Sequence, residues 1–170
     1  MSPAERISPV SVPVLASRRV LLAATAFAAI GSAKGQPSGD PTQLLTVMER
    51  YAVALRWNNV DALVALYTAD GVFMRENLPA AVGTEALRAA YRQVFTTLKV
   101  DLRFDIQQTE VSEDMAWLRA TSKGRIRTLA TGVDTAESFN DLVIFGRERG
   151  MWKIRCYLYA SNKPGTGTPQ

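Results

Sequence analysis

Thr84 to Gln107 reads TEALRAAYRQVFTTLKVDLRFDIQ, and the period of its apolar residues changes partway along. Leu87, Tyr91, Val94, Phe95 and Leu98 recur at the spacing of a helix with one buried face, and Thr84 stands where a helix cap belongs. From Val100 the pattern alternates: Val100, Leu102, Phe104 and Ile106 are separated by Asp101, Arg103, Asp105 and Gln107. That period of two belongs to a half-buried strand. A helical region that hands over to strands predicts an α+β domain.

Upstream, Asp40-Pro41-Thr42-Gln43 supplies an N-cap acid, a proline at the first helical position and a glutamine at the third. Leu44, Leu45, Met48, Tyr51, Ala52 and Leu55 then share one face, and Asn58-Asn59 ends this first helix. Asn59 caps a short second helix with Val60, Leu63, Leu66 and Tyr67 as its stripe. Ala69-Asp70-Gly71 reads as a turn, Val72 to Arg75 as a short strand, and Glu76 to Gly83 as a loop. Downstream, Ser112-Glu113-Asp114 turns into a strand from Met115 to Ser122. Lys123-Gly124 breaks it before Arg125 to Leu129, and Ala130 to Asp134 is a loop. Ser138 to Arg147 and Met151 to Ser161 form a hairpin through the three-residue turn Glu148-Arg149-Gly150. The expected architecture is a cone, with a curved antiparallel sheet wrapped around three N-terminal helices, over residues 41–164.

The N-terminal segment has a different character. Ser17-Arg18-Arg19 introduces the apolar run Val20 to Ile30, and Gly31-Ser32-Ala33 follows with small residues. This is the layout of a secretory signal over residues 1–33. Eleven helical residues rise about 16 Å, roughly half a hydrocarbon core, so no stable membrane anchor is expected. The paired arginines resemble the twin-arginine motif, and the Sec route shares the general layout. The expected location is periplasmic or extracellular. Residues 34–40 read as a flexible lead-in and 165–170 as a disordered tail.

Composition excludes several chemistries. The chain has 170 residues and no histidine, so Ser-His-Asp and Cys-His catalysis and the usual zinc and non-haem iron ligand sets are absent. No metal and no cofactor are expected. Cys156 is the single cysteine and can form no internal bridge; its apolar neighbours suggest a buried, inert thiol. Of 20 basic and 16 acidic residues, three and one respectively lie before residue 34, which leaves 17 and 15 scattered without a run. No nucleic-acid partner is expected from such a surface. Asp101 and Asp105 share a strand face about 13 Å apart, too far for a glycosidase carboxylate pair.

Three motifs in order resemble the NTF2-like group, which includes SnoaL-like and ketosteroid-isomerase-like domains. They are Val60 to Tyr67 with Ala69-Asp70-Gly71-Val72, Val82-Gly83-Thr84-Glu85-Ala86-Leu87, and Gly150-Met151-Trp152-Lys153-Ile154. The resemblance implies the cone fold and leaves activity open, because one fold hosts many functions. Compared with the steroid isomerases, Tyr51 matches the oxyanion-binding tyrosine. Arg75 falls where those enzymes carry a general base, and the apolar Leu142 to Ile144 falls near their second oxyanion acid. Two of three catalytic groups are therefore unmatched.

Two functions fit these residues. In the first, a pocket between helices and sheet binds, and can act on, a small, partly apolar or anionic molecule. Tyr51 donates a hydrogen bond and Arg75 supplies charge, with Tyr91, Asn140 and Tyr157 as further pocket candidates. In the second, the pocket is filled and the domain is a non-catalytic dimeric interaction module. A homodimer is expected from Asp141-Leu142-Val143-Ile144-Phe145, which is apolar on both strand faces, and from the row Trp152, Ile154, Cys156 and Leu158 opposite Tyr157 and Tyr159.

Overall fold

The structure, a computed structural model, describes residues 41–162. The signal segment, the lead-in, the Asp40 cap and the tail lie outside the described residues. Helix α1 spans Thr42–Arg56 and α2 Val60–Ala65. They are followed by β1 (Tyr67–Met74), β2 (Ala81–Val82), α3 (Thr84–Thr97), β3 (Leu98–Val111), β4 (Met115–Thr128), β5 (Asp134–Glu148) and β6 (Met151–Ser161). The helices lie against one face of a curved, open six-stranded sheet of order β2-β1-β6-β5-β4-β3.

The α+β cone is as expected, but the sheet is mixed. Strand β1 pairs with β6 in parallel, through Val72 with Cys156, Phe73 with Tyr157 and Met74 with Leu158. Five elements, β2, α3, β3, β4 and β5, separate the two strands, long enough a crossover for parallel neighbours. Periodicity reports which residues are buried and carries no information on a strand's partner.

Several boundaries also move. Tyr67 starts β1 instead of ending α2, and Ala69-Asp70-Gly71 is an irregular stretch of that strand, where the register shifts between Tyr67 and Val72. Arg75 lies one residue beyond the strand, and the expected loop contains β2, paired with β1. Pro41 is the N-cap of α1; its carbonyl accepts from Leu44 N–H and Leu45 N–H. Asn59 caps α2 by accepting from Ala62 N–H at 2.9 Å. The cap of α3 is Gly83, at φ 81°, with Thr84 as the first helical residue.

Lys123-Gly124 does not break β4. Gly124 instead marks a close approach to β3, where a Cβ would collide with the Asp101 carbonyl oxygen. Strand β5 begins at Asp134, four residues earlier than Ser138. Its turn into β6 is the two-residue pair Arg149-Gly150, with φ of 53° and 79°, because Glu148 still pairs with Met151. Two successive positive φ values suit the twist of a tight hairpin.

One irregularity decides which side chains face the helices. Phe145 pairs with Ile154 and Ile144 with Cys156, so Arg155 is an extra residue in β6. The expected row Trp152, Ile154, Cys156, Leu158 is therefore split. Trp152 and Ile154 are buried together with Tyr157, while Cys156 is half-buried and Leu158 exposed on the outer face. Cys156 sits 3.8 Å from Met74 Sδ there and is not the buried thiol expected. On β5, Asp141, Val143 and Phe145 are buried, whereas Leu142 and Ile144 point outward. The core comprises these inner residues with Leu44, Met48, Leu63, Leu87 and Leu118.

Candidate functional site

The helices and inner sheet face leave a partly open aromatic cavity of about 80 Å³. It is roughly half the size of a 150 Å³ cavity that admits benzene, so even a benzene-sized ring must extend through the mouth. Leu55, Val94, Val100, Leu102 and Ile126 form its apolar wall; Phe73, Phe139, Tyr51, Tyr91, Tyr157 and Tyr159 form the aromatic part.

Polar groups gather against this apolar surface in two networks. Tyr51 projects from α1, Tyr91 from α3 and Tyr67 from β1, all buried. Tyr91 Oη lies 2.8 Å from Tyr51 Oη and 2.7 Å from Tyr67 Oη. The Tyr51 and Tyr67 hydroxyls also act on one another, so the three phenols form one cluster. Of the three, Tyr51 and Tyr91 line the cavity. Burial first, and neighbouring phenols next, hold the Tyr51, Tyr67 and Tyr91 hydroxyls well above the ordinary tyrosine range. They remain donors, not bases, at neutral pH.

The second network centres on Asp141 of β5, 2% exposed. Tyr157 Oη donates to Asp141 Oδ1 at 2.7 Å and Ser122 Oγ donates to the same oxygen at 3.2 Å. Asp141 Oδ2 has no hydrogen-bond partner in the structure. Burial raises the carboxyl above the ordinary aspartate range, and the Tyr157 and Ser122 hydrogen bonds only partly oppose it. The two networks meet where the Tyr51 and Tyr157 rings pack edge to face, with centroids 5.2 Å apart.

The structure thus brings Tyr51, Tyr91 and Tyr157 together and leaves Asn140 out. Asn140 is exposed on the outer face of β5, one position from Asp141, because consecutive strand residues point to opposite sides. Arg75 is half-buried and does not itself line the cavity, but its guanidinium is 5.9 Å from the ring centre of Phe73, which does. Three residues escaped the sequence reading: Tyr67, taken as helix stripe, and Ser122 and Asp141, taken as strand polar residues. Asp141, one residue before the apolar Leu142 to Ile144, is a buried carboxyl. An acid inside an apolar run was the available signal. Among the described residues no group of three or more Cys, Asp or Glu side chains is placed to hold a metal.

The chain matches the profile of the SnoaL-like domain over residues 48–153. Among solved structures it is similar to a ketosteroid isomerase-like protein from Erwinia carotovora, with 29% identity, a TM-score of 0.70, and coverage of 75% of this chain and 99% of that one. A conserved protein from Planctomyces limnophilus is 22% identical with a TM-score of 0.64, covering 72% and 97% of the two chains. An NTF2-like protein with a cystatin-like fold from Novosphingobium aromaticivorans is 17% identical with a TM-score of 0.59, covering 75% and 84%. The last two likenesses bear on the fold alone. No curated protein sequence matches the chain.

Proposed function

Because the chain belongs to the SnoaL-like domain family, we propose that its cavity binds a small, largely apolar molecule whose carbonyl or similar acceptor receives a hydrogen bond from Tyr51. The observation that carries this reading is the phenol cluster whose Tyr51 and Tyr91 line an aromatic cavity. Such a site is apolar with a few placed polar groups, the usual form of a small-molecule pocket. A Tyr51 hydroxyl that donates into the cavity also polarises a bound carbonyl, so the same geometry supports action on the ligand. Arg75 has no acceptor and takes no proton from a ligand.

Acetophenone is a suitable probe. Tyr51→Phe removes the donor and should weaken its binding about tenfold, in line with roughly 1–1.5 kcal/mol for one neutral hydrogen bond. Titration calorimetry reads this directly. Equal affinity in both proteins would reject the donor role, and no measurable binding to the parent protein would reject the pocket.

Two further proposals accompany this reading. We propose export through the N-terminal signal segment, with cleavage near Ala33. Mass spectrometry of the extracytoplasmic fraction should find a chain starting close to Lys34; an intact Met1 start would overturn it. We also propose that the outer sheet face pairs with a second copy, on the strength of two apolar rows. One is Val72, Cys156, Ile144 and Trp117; the other is Met74, Leu158 and Leu142.

A further inference from the structure

Among the described residues only two arginines are half-buried, Arg75 and Arg88; the others are exposed. Arg88 pairs with Asp61, as a sheltered guanidinium should. Among the described residues Arg75 has no carboxylate within ion-pair distance. Its Nη1 donates to the neutral Gln93 Oε1 at 3.2 Å, and its Nε is buried with no partner. The adjacent Glu76 is engaged elsewhere, accepting from Ser161 N–H at 2.9 Å. A shielded charge without a counter-charge is costly to keep, so an anion from outside is the missing partner.

The position says where that anion sits. Phe73, beneath the guanidinium, lines the cavity and packs against Tyr159, which also lines it, with ring centres 5.8 Å apart. The Tyr159 hydroxyl is shifted upward chiefly by burial; the positive charge of Arg75 pulls against that shift, and Glu76 and Asp141 add to it. Gln93, exposed on α3, gives its Oε1 to Arg75, which leaves its amide N–H groups as further donors beside the guanidinium. Among the described residues no cation lines the cavity, whose polar groups are the Ser122, Tyr51, Tyr91, Tyr157 and Tyr159 hydroxyls. An anionic group therefore favours the mouth and an uncharged one the interior.

We infer that the ligand is a small aromatic or alicyclic monocarboxylate, its neutral acceptor inside the cavity, its ring extending through the mouth and its carboxylate outside on Arg75 and Gln93. This rests on the pocket reading above and adds the charge and the orientation. A single planar guanidinium with one neighbouring amide matches a carboxylate, which accepts two parallel N–H bonds and carries one negative charge.

Titration with 4-acetylbenzoate, 4-acetylbenzamide and acetophenone tests the inference. The parent protein should bind the carboxylate about ten- to a hundredfold more tightly than the amide, the range for losing a hydrogen bond to a charged group. Arg75→Gln should erase that preference and leave acetophenone affinity unchanged. Arg75→Lys should restore only part of it, because an ammonium lacks the planar fork. Equal affinity for carboxylate and amide in the parent protein would overturn the charge assignment while acetophenone binding keeps the pocket reading. A preference that survives Arg75→Gln would place the anion elsewhere. Binding of none of the three would overturn both.

Discussion

Asp141→Ala is expected to destabilise the domain by about 3 kcal/mol or more, with Asp141→Asn clearly milder. Alanine removes the shared acceptor of Tyr157 and Ser122 and leaves two buried hydroxyls unpaired, each costing about 1–3 kcal/mol. Asparagine keeps an oxygen for both. The parent protein should also show a pH dependence that the Asn variant lacks. Burial raises the folded carboxyl above its unfolded value, so between the two values the native state holds more protons than the unfolded chain. The carboxyl's contribution is therefore complete below the unfolded value and is lost as pH rises through the folded one. Urea unfolding at a series of pH values should show the parent losing stability relative to Asp141→Asn across that window. A loss below 1 kcal/mol in Asp141→Ala, or parallel pH profiles, would contradict the network.

Leu158→Asp is expected to convert a dimer to a monomer without unfolding the domain. Leu158, Leu142 and Met74 are 36%, 40% and 39% exposed, and Cα pairing places them side by side across β6, β5 and β1. The neighbouring row adds Val72, Cys156, Ile144 and Trp117. A continuous apolar strip over four strands favours a like surface, and a twofold pairing of identical patches supplies one. Further along the sheet Arg119, Lys123 and Arg125 make the outer face of β4 charged, which confines the strip. The loop at 130–134 does not cover it: Gly132 N–H and Thr128 N–H bond within that hairpin, and Leu129 N–H bonds to Thr97 at the end of α3. A carboxylate buried in the interface would cost several kcal/mol, more than a hundredfold in Kd. Light scattering at micromolar concentration should report a dimer for the parent and a monomer for the variant. A monomeric parent would reject the proposal, and a dimeric variant would reject the face. Val143→Asp, the substitution the bare strand pattern suggests, is unsuitable because Val143 is fully buried and a charge there would unfold the domain.

Much of the architecture is written in periodicity. The apolar stripes around Tyr51 and Leu87 became α1 and α3, and the alternation from Val100 became β3, because burial of one face imposes those spacings locally. Tyr51 was recognisable as a candidate for the same reason, a polar tip on a buried helix face. Pairing and inversion were not recognisable. The parallel neighbour of β1 lies more than 80 residues away in the chain, and nothing in either strand names the other. A run such as Asp141 to Phe145, apolar on alternate residues of both faces, fits either orientation equally well.

The sequence by itself determined the α+β class, the three helices, the long strands and the absence of histidine chemistry, since each depends on local spacing or composition. The tertiary structure alone decided which residues face the cavity. The extra residue Arg155 turns Tyr157 and Tyr159 inward and Cys156 and Leu158 outward. The register of β4 with β5 sets Asp141 on the inner face, where Ser122 meets it, and Asn140 outside. Three tyrosines from α1, β1 and α3 join into one hydroxyl chain only because those elements converge over the sheet. A one-residue offset reverses every side chain beyond it, and the hydrogen bonds that fix the offset come from strands distant in sequence.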